Sequence, residues 1–240
     1  MVIATIILCI TARDFMLKLL KNLLLFCFVV IVCSRCSDIE PIVPDKEYQA
    51  GLQLESLTWE GRSRTYQVYF PLETFASESL PILFVLHGGG GNATEIQFST
   101  RRRFNELADM QGFIVVYPEG VENRWNDGRA SEGVATTWDE DIDDVGFITE
   151  IIRLLEQDYR IDESKIFTSG ISNGGFMSSR LLCEKSDVFK AGAILTATIP
   201  VSFLEACTSS NPNSLIVING TADPLILFDG GPIEVFGQQT

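Results

Sequence analysis

The sequence predicts an α/β fold in which a largely parallel central sheet carries helices on both faces. Short runs rich in β-branched and aromatic residues alternate along the chain with helix-spaced segments, an order typical of right-handed βαβ crossovers. The run 113–117 is apolar at every position, as in a strand buried on both faces. With 240 residues, 46% of them hydrophobic, the chain can bury one sizeable core.

The first 36 residues have the layout of an export signal. An unbroken apolar run at 23–33 follows Lys18 and Lys21 and precedes Cys36. This run is shorter than the roughly 20 apolar residues of a comfortable membrane span. We therefore expect residues 1–36 to be a signal peptide or a lipoprotein leader. Plain secretion and a lipid anchor at Cys36 are alternatives, and both place the protein outside the cytoplasm.

The remaining chain divides into a linker and one domain. Residues 37–52 are polar and contain Pro41 and Pro44, which predicts an extended linker, and we assign 53–240 to the domain. The predicted strands are 65–70, 82–86, 113–117, 165–170, 191–198 and 214–219, and the predicted helices are 104–110, 145–159 and 173–184.

A G-x-S-x-G pattern centred on Ser172 lies where a predicted strand runs directly into a predicted helix. In an α/β-hydrolase fold such a sharp turn presents a serine hydroxyl at the top of the sheet, and glycines are needed because side chains have no room there. The N–H of Asn173 would then point at a developing oxyanion. The alternative is a Gly/Ser-rich turn without a catalytic role.

Four glycines, 88–91, follow His87 at the end of the predicted strand 82–86. Such a run lets backbone N–H groups approach a ligand, so Gly88 or Gly89 is a candidate for the second oxyanion donor. A flexible loop is the alternative. We predict that His87 braces this loop rather than serving as the general base, because the fold orders its triad as serine, acid, histidine.

Asp223 is the candidate triad acid, since it follows the predicted strand 214–219 and would lie at the same sheet edge as Ser172. A turn aspartate before Pro224 is the alternative. Trp125 and Trp138 lie in loops expected to rim the site, where each could pack an acyl group or a sugar or be structural. No spacing repeats a known metal-binding loop, and we expect no metal and no cofactor.

Cys183 and Cys207 are the two cysteines of the predicted domain, and a disulfide between them is favoured over two buried thiols because the leader indicates an oxidising compartment. The formal net charge of −14 argues against nucleic acid as a partner.

Six motifs in order resemble the exported esterases that include polyhydroxybutyrate depolymerases, feruloyl esterases and acetylxylan esterases. They are HGGGGN at 87–92, YPEG at 117–120, WNDGR at 125–129, DDVGF at 143–147, GISNGG at 170–175 and GTADP at 220–224. The resemblance covers roughly 58–231. It implies the α/β-hydrolase fold, with Ser172 as nucleophile, Asp223 as acid, and the N–H groups of Gly89 and Asn173 as the oxyanion hole.

The sequence departs from this family at two places. Asn219 stands where relatives commonly have histidine. The resemblance also implies a catalytic histidine from a Gly-His segment beyond residue 231, whereas the only histidine of the sequence is His87. We therefore expect either a truncated polypeptide, which we favour because the other catalytic parts are kept, or an inactive relative.

The expected function is hydrolysis of carboxylic esters through an acyl-enzyme. The expected partner is an ester substrate linked to a polymer: feruloyl or acetyl groups on a polysaccharide, or a hydroxyalkanoate polyester. A non-catalytic surface protein that binds polysaccharide on the same scaffold is the alternative from another class.

Overall fold

A computed structural model describes residues 47–75, 78–129, 142–200, 207, 212–231, 234–235 and 238–239. The predicted leader, the first ten residues of the predicted linker, and Trp138 lie outside these ranges. The chain divides into two units, 1–43 and 44–240, and the second contains every described residue.

Seven strands form one sheet in the order β1-β2-β4-β3-β5-β6-β7. The strands are β1 (Gly51–Trp59), β2 (Arg62–Phe70), β3 (Leu80–Leu86), β4 (Ile114–Pro118), β5 (Ile161–Ile171), β6 (Ala191–Leu195) and β7 (Ser214–Ile218). Pairing is antiparallel for β1 with β2 and for β2 with β4, and parallel from β4 through β7. Glu234–Val235 (β8) and Gln238–Gln239 (β9) pair as a separate two-stranded sheet.

Helices cover both faces of the sheet, as the sequence predicts. The helices are α1 (Ala93–Ser99), α2 (Arg103–Gln111), α3 (Asp144–Asp158) and α4 (Asn173–Glu184), with a short 3-10 turn at Glu73–Phe75. In β4, Ile114 and Val116 join the core that includes residues of α3 and α4, whereas Val115 and Tyr117 join the core on the side of α1 and α2. Successive side chains of a strand point to opposite faces of the sheet, so the apolar run of β4 contributes to the cores on both faces.

The start of the domain differs from the prediction. The linker was predicted to end at 52, but Gly51 and Leu52 already pair in β1, and Tyr48 packs edge-on against Phe70. A tight turn joins β1 to β2 through Glu60 (φ 48°) and Gly61 (φ 75°), a conformation that matches the twist of a hairpin. The predicted linker therefore overlaps the folded domain at Tyr48 and at Gly51 and Leu52.

The bounds of three predicted strands also change by three or four residues. β2 begins at Arg62, three residues before its predicted start. β5 begins at Ile161, four residues before the predicted start, because Ile161 pairs with Leu80 of β3 before a shift in register. β6 ends at Leu195, three residues before the predicted end. The backbone of Thr196 has a φ of 44°, which leaves the extended region and ends the strand.

None of the helices in the described ranges has the length and apolar content needed to cross a bilayer.

A disulfide joins Cys183, in the last turn of α4, to Cys207, in the segment between β6 and β7, with a Cα–Cα distance of 5.4 Å. It connects the helix that begins after Ser172 to the chain that leads into β7. We expect reduction to lower the free energy of unfolding by about 3 kcal/mol, because the bridge closes a loop of 24 residues in the unfolded chain.

Urea unfolding with and without reductant measures the effect of this bridge. The double variant Cys183→Ser/Cys207→Ser is the control and should be insensitive to reductant. An unfolding midpoint that stays unchanged after both thiols have been shown to be free would contradict the prediction.

Candidate active site

Ser172 lies exposed in a sharp turn between β5 and α4. Its backbone has φ 52° and ψ −124°, a conformation that a residue with a side chain adopts only under strain. Its N–H donates to the carbonyl oxygen of Leu195 at 2.9 Å, and its own carbonyl accepts from the N–H of Phe176 at 3.0 Å. These bonds to β6 and to the first turn of α4 hold the strained turn in place. This is the geometry of a nucleophile elbow.

The glycines around Ser172 are required by space. A Cβ at Gly170 would overlap the carbonyl oxygen of Gly174, and a Cβ at Gly174 would lie 2.5 Å from the carbonyl oxygen of Leu86 and overlap that of His87. A Cβ at Gly175 would lie 2.7 Å from the Cβ of Ala197. Strand, turn and helix therefore approach more closely than any side chain permits.

The glycine loop that follows β3 lies beside the elbow. A Cβ at Gly88 would be 3.7 Å from the Cβ of Ser172. The N–H of Gly90 donates to Asn123 O at 2.8 Å, and that of Gly91 donates to Gly88 O at 3.0 Å. Within the described part of the chain the N–H groups of Gly88 and Gly89 have no acceptor, so these two groups of the loop are left to bind an oxyanion.

The His87 ring is buried behind this loop with both nitrogens engaged. Nδ1 lies 2.8 Å from Gly88 O and Nε2 accepts from the N–H of Gly120 at 3.1 Å, which fixes the tautomer with the proton on Nδ1. Burial lowers the pKa of His87 below that of a free imidazole, so the ring is neutral at pH 7. The ring therefore spans two loops and has no nitrogen available for Ser172.

Asn173 supplies the second candidate donor, because the first N–H groups of a helix have no acceptor within it. Its side chain is clamped. Oδ1 accepts from the N–H of Trp125 at 2.9 Å, while Nδ2 donates to Trp125 O at 3.1 Å and to Asp127 Oδ2 at 2.6 Å. Trp125 is fully buried, and its Nε1 donates to His87 O at 2.9 Å. Trp125 thus touches both halves of the candidate oxyanion hole.

Asp223 follows β7 at the carboxyl edge of the parallel strands, where Ser172 follows β5. Ile171, Leu195 and Ile218 form one row across β5, β6 and β7. Asp223 Oδ1 accepts from the N–H groups of Leu225 at 2.9 Å and Ile226 at 3.0 Å. These bonds lower the pKa of Asp223, with the bond from Ile226 the larger cause, so the carboxylate stays charged.

Comparison with known proteins decides the family. Residues 64–235 match the sequence model of the family described as Esterase PHB depolymerase. The chain belongs to this family. Two curated relatives are an acetylxylan esterase of Coprinopsis cinerea, 34% identical over 134 residues (55% of this chain, 34% of the relative), and feruloyl esterase C of Emericella nidulans, 28% identical over 172 residues (70% and 58%).

Solved structures show the same fold as this member of the esterase PHB depolymerase family. A thermostable esterase superposes with a TM-score of 0.57 at 20% identity, covering 74% of this chain and 48% of that one. S-formylglutathione hydrolase FrmB of Staphylococcus aureus gives 0.54 at 16% identity, covering 73% and 82%. The predicted α/β-hydrolase fold is confirmed. The chain spans about half the length of the curated relatives it matches.

Sequence reasoning missed the residues that support the site of this family member. Asp127 is 1% exposed and its Oδ2 accepts from Arg129 Nη2 at 2.7 Å, while the Arg129 guanidinium lies 3.8 Å above the centroid of the Phe176 ring in α4. The motif at 125–129 is part of the family resemblance, which implies no role for it. Its burial and its bonds to Asn173 show that it packs against the start of α4, behind the candidate oxyanion donors.

Asn219 and Trp125 have contacts that the sequence left open. Asn219 Oδ1 accepts from Ala197 N at 3.2 Å and Nδ2 donates to Ala197 O at 3.0 Å, so its amide links the ends of β6 and β7. Trp125 is completely buried, so it is structural and does not pack a substrate at the rim.

Proposed function

We propose that this chain carries the nucleophile, triad acid and oxyanion hole of a serine carboxylic-ester hydrolase. The observation that supports it most is the exposed Ser172 in its strained turn, next to both Gly88 and the first N–H groups of α4. A hydroxyl in this position can reach a carbonyl carbon while backbone N–H groups bind the carbonyl oxygen.

The proposed reaction has two steps. Ser172 Oγ attacks the ester carbonyl and gives up its proton to a base, and the N–H groups of Gly89 and Asn173 bind the resulting oxyanion. The C–O bond to the alcohol then breaks, the alcohol takes the proton, and an acyl-enzyme remains. Water attacks the acyl-enzyme in the same way and releases the acid. Asp223, kept ionised by its two backbone bonds, orients and stabilises an imidazole base.

The proposed substrates are esters linked to polymers. The names of relatives point to feruloyl and acetyl groups on polysaccharides, and the family name includes hydroxyalkanoate polyester. The predicted leader and the Cys183–Cys207 bridge suit an exported enzyme that meets such polymers outside the cytoplasm. Attachment through Cys36 is one form of that export.

In these 240 residues, the group that would accept the proton of Ser172 is the part of the proposed site with the least support. His87 is the only histidine of the sequence, and its ring is held in the oxyanion loop. We therefore expect this chain to hydrolyse esters slowly, because loss of the base typically costs several orders of magnitude in rate. The alternative function is a non-catalytic protein that binds polysaccharide on the same scaffold.

Imidazole rescue distinguishes the two functions. Hydrolysis of p-nitrophenyl acetate is measured with increasing imidazole for the wild type, for Ser172→Ala and for Ser63→Ala, an exposed serine on β2 that serves as control. Esterase function predicts a rate that rises with imidazole, a wild-type excess over Ser172→Ala of at least about tenfold, and wild-type behaviour of Ser63→Ala.

Labelling with a fluorophosphonate probe gives a second readout. With imidazole present, we expect label on wild type and on Ser63→Ala, and none on Ser172→Ala. If the wild type neither takes up label nor exceeds Ser172→Ala at any imidazole concentration, but pulls down with insoluble polysaccharide, the binding function replaces the enzyme.

A further inference from the structure

A groove of about 380 Å³ runs along the outer side of the glycine loop, between that loop and α1. Residues 87–92 form one wall, and the other lining side chains are Glu95, Ile96, Ser99 and Ile171. A Cβ at Gly88 would lie 3.5 Å from Ile171 O and 3.7 Å from Ser172 Cβ. The groove therefore begins directly beside the candidate nucleophile. We call it the α1 groove.

The polar groups of the α1 groove are mostly hydrogen-bond acceptors. Glu95 is exposed, and its Oε2 would lie 3.5 Å from a Cβ at Gly91, so the carboxylate stands over the glycine loop. Ser99 Oγ donates to Ile96 O at 3.1 Å and keeps its lone pairs for accepting. Asn92 Oδ1 is occupied by Glu95 N at 2.9 Å, which leaves the Nδ2 amide as the side-chain donor of this set.

The glycine loop adds little donor capacity of its own. The N–H groups of Gly90 and Gly91 are bonded within the protein, and Gly88 O already accepts from Gly91 N and lies 2.8 Å from His87 Nδ1. The N–H groups of Gly88 and Gly89 have no acceptor in the described part of the chain, and they are the candidates for binding the oxyanion. The α1 groove therefore favours a ligand that donates hydrogen bonds to Glu95 and Ser99 and carries no negative charge near Glu95.

We propose that the α1 groove binds the hydroxyl-bearing saccharide part of the substrate, with Glu95 as the residue that selects it. This inference rests on the proposed ester hydrolysis at Ser172 and narrows its substrate to esters on neutral polysaccharides. Sugar hydroxyls both donate and accept, and the partly exposed side chains of Ile96 and Ile171 offer an apolar surface for the face of a sugar ring.

A hydroxyalkanoate polyester fits the α1 groove poorly. Its ester groups are acceptors and its backbone is apolar, so it offers no donor for the Glu95 carboxylate. Binding would strip water from that charged group without replacing the lost hydrogen bonds, which is costly. The α1 groove therefore favours esters on polysaccharides over hydroxyalkanoate polyesters. Neither the fold nor the family distinguishes these two substrates.

Binding of unesterified xylotetraose tests the groove without relying on catalysis. The dissociation constant is measured by NMR titration for the wild type, Glu95→Gln, Glu95→Ala, and Glu106→Gln, a control carboxylate on α2 paired with Arg103. We expect Glu95→Ala to weaken binding about tenfold, Glu95→Gln less because its amide still accepts, and Glu106→Gln to match the wild type. A trimer of 3-hydroxybutyrate methyl ester is titrated in parallel and should bind no better to wild type than to Glu95→Ala.

Hydrolysis then separates this inference from the proposed function. With acetylated xylotetraose and imidazole, Glu95→Ala should raise KM about tenfold while leaving kcat and the rate on p-nitrophenyl acetate within twofold. Equal xylotetraose affinity for wild type and Glu95→Ala, or tighter wild-type binding of the hydroxybutyrate trimer than of the sugar, would overturn the proposal for the α1 groove. Glu95-dependent sugar binding without any Ser172-dependent hydrolysis would retain the groove and reject the esterase.

Discussion

Replacing Arg64 with methionine is expected to lower the free energy of unfolding by about 3–5 kcal/mol, because it leaves a buried carboxylate without its partner. Arg64 Nη2 lies 2.6 Å from Asp144 Oδ1, and the two side chains are 4% and 0% exposed. Asp144 Oδ2 also accepts from Asn126 N at 2.7 Å, and the Arg64 guanidinium lies 3.9 Å above the centroid of the Phe147 ring. The pair therefore joins β2 to the start of α3 and to the loop behind the oxyanion hole.

The pH dependence of the Arg64→Met variant provides an internal check. Burial raises the pKa of Asp144, and Arg64 acts in the opposite direction. Without Arg64 the folded-state pKa rises further above the unfolded value, so the protonated form is favoured in the folded protein. The variant therefore keeps its free energy of unfolding at pH values below the unfolded-state pKa of Asp144. It loses free energy of unfolding as the pH rises through the folded-state pKa of Asp144. The deficit of the variant relative to wild type should therefore grow from pH 4 to pH 7.

Urea unfolding at several pH values measures this deficit. The double variant Arg64→Met/Asp144→Asn removes both charges and keeps an oxygen for Asn126 N, so it should recover most of the loss. Arg103→Met breaks an exposed ion pair with Glu106 and should cost less than about 1 kcal/mol. A single variant at Arg64 that is as stable as Arg103→Met at pH 7 would show that the buried pair contributes little.

Substituting Gly174 with alanine is expected to cost on the order of 3 kcal/mol and to abolish any Ser172-dependent hydrolysis. Gly174 lies in the first turn of α4, where helix propensity alone would favour alanine by about 1 kcal/mol. The added Cβ, however, would meet the carbonyl oxygens of Leu86 and His87. Because both are backbone atoms at the start of the glycine loop, the clash can be relieved only by moving this loop and the turn at Ser172 apart.

Thermal unfolding and fluorophosphonate labelling together check the Gly174→Ala variant. Gly220→Ala serves as control, since the nearest atoms to its added Cβ lie at 3.8 Å. The control should unfold within a few degrees of wild type. A melting temperature for Gly174→Ala equal to or above that of wild type would mean that helix propensity outweighs the clash and that the elbow is less tightly packed than its geometry indicates.

Local patterns account for what the sequence predicted well. The turn at Ser172 depends on residues within a few positions of one another, so G-x-S-x-G between a strand and a helix was enough to place it. Strands β3 and β4 are apolar throughout because both faces are covered, and that signal is strong. Strand β1 was not predicted because Leu52 and Leu54 lie on its exposed face, where they are 49% and 74% exposed. The strand therefore lacks the usual contrast between an apolar and a polar face.

The sequence also contains local signals for two elements that were not predicted, helix α1 and the turn between β1 and β2. Helix α1 is short, but Asn92 caps it by accepting from Glu95 N, and the spacing of Asn and Glu three apart is a recognised start signal. The turn at Glu60 and Gly61 precedes a β-rich run. The contacts behind the candidate oxyanion donors could not be predicted from a local pattern. The hydrogen bonds that join Asn173 to Trp125 and Asp127 connect residues 46–48 positions apart in the sequence. Such pairings follow from how strands and loops assemble, which no local window contains.

Trp125 has a consequence for motion at the site. Its indole donates to the carbonyl of His87 at the end of β3, and its own backbone is paired with the Asn173 amide that follows β5. A shift of either strand is therefore transmitted to the other. Thermal fluctuations should carry the two candidate oxyanion donors in the same direction, which preserves the spacing between them while their absolute positions vary. Correlated displacement of this kind lets a site remain matched to a transition state without being stationary.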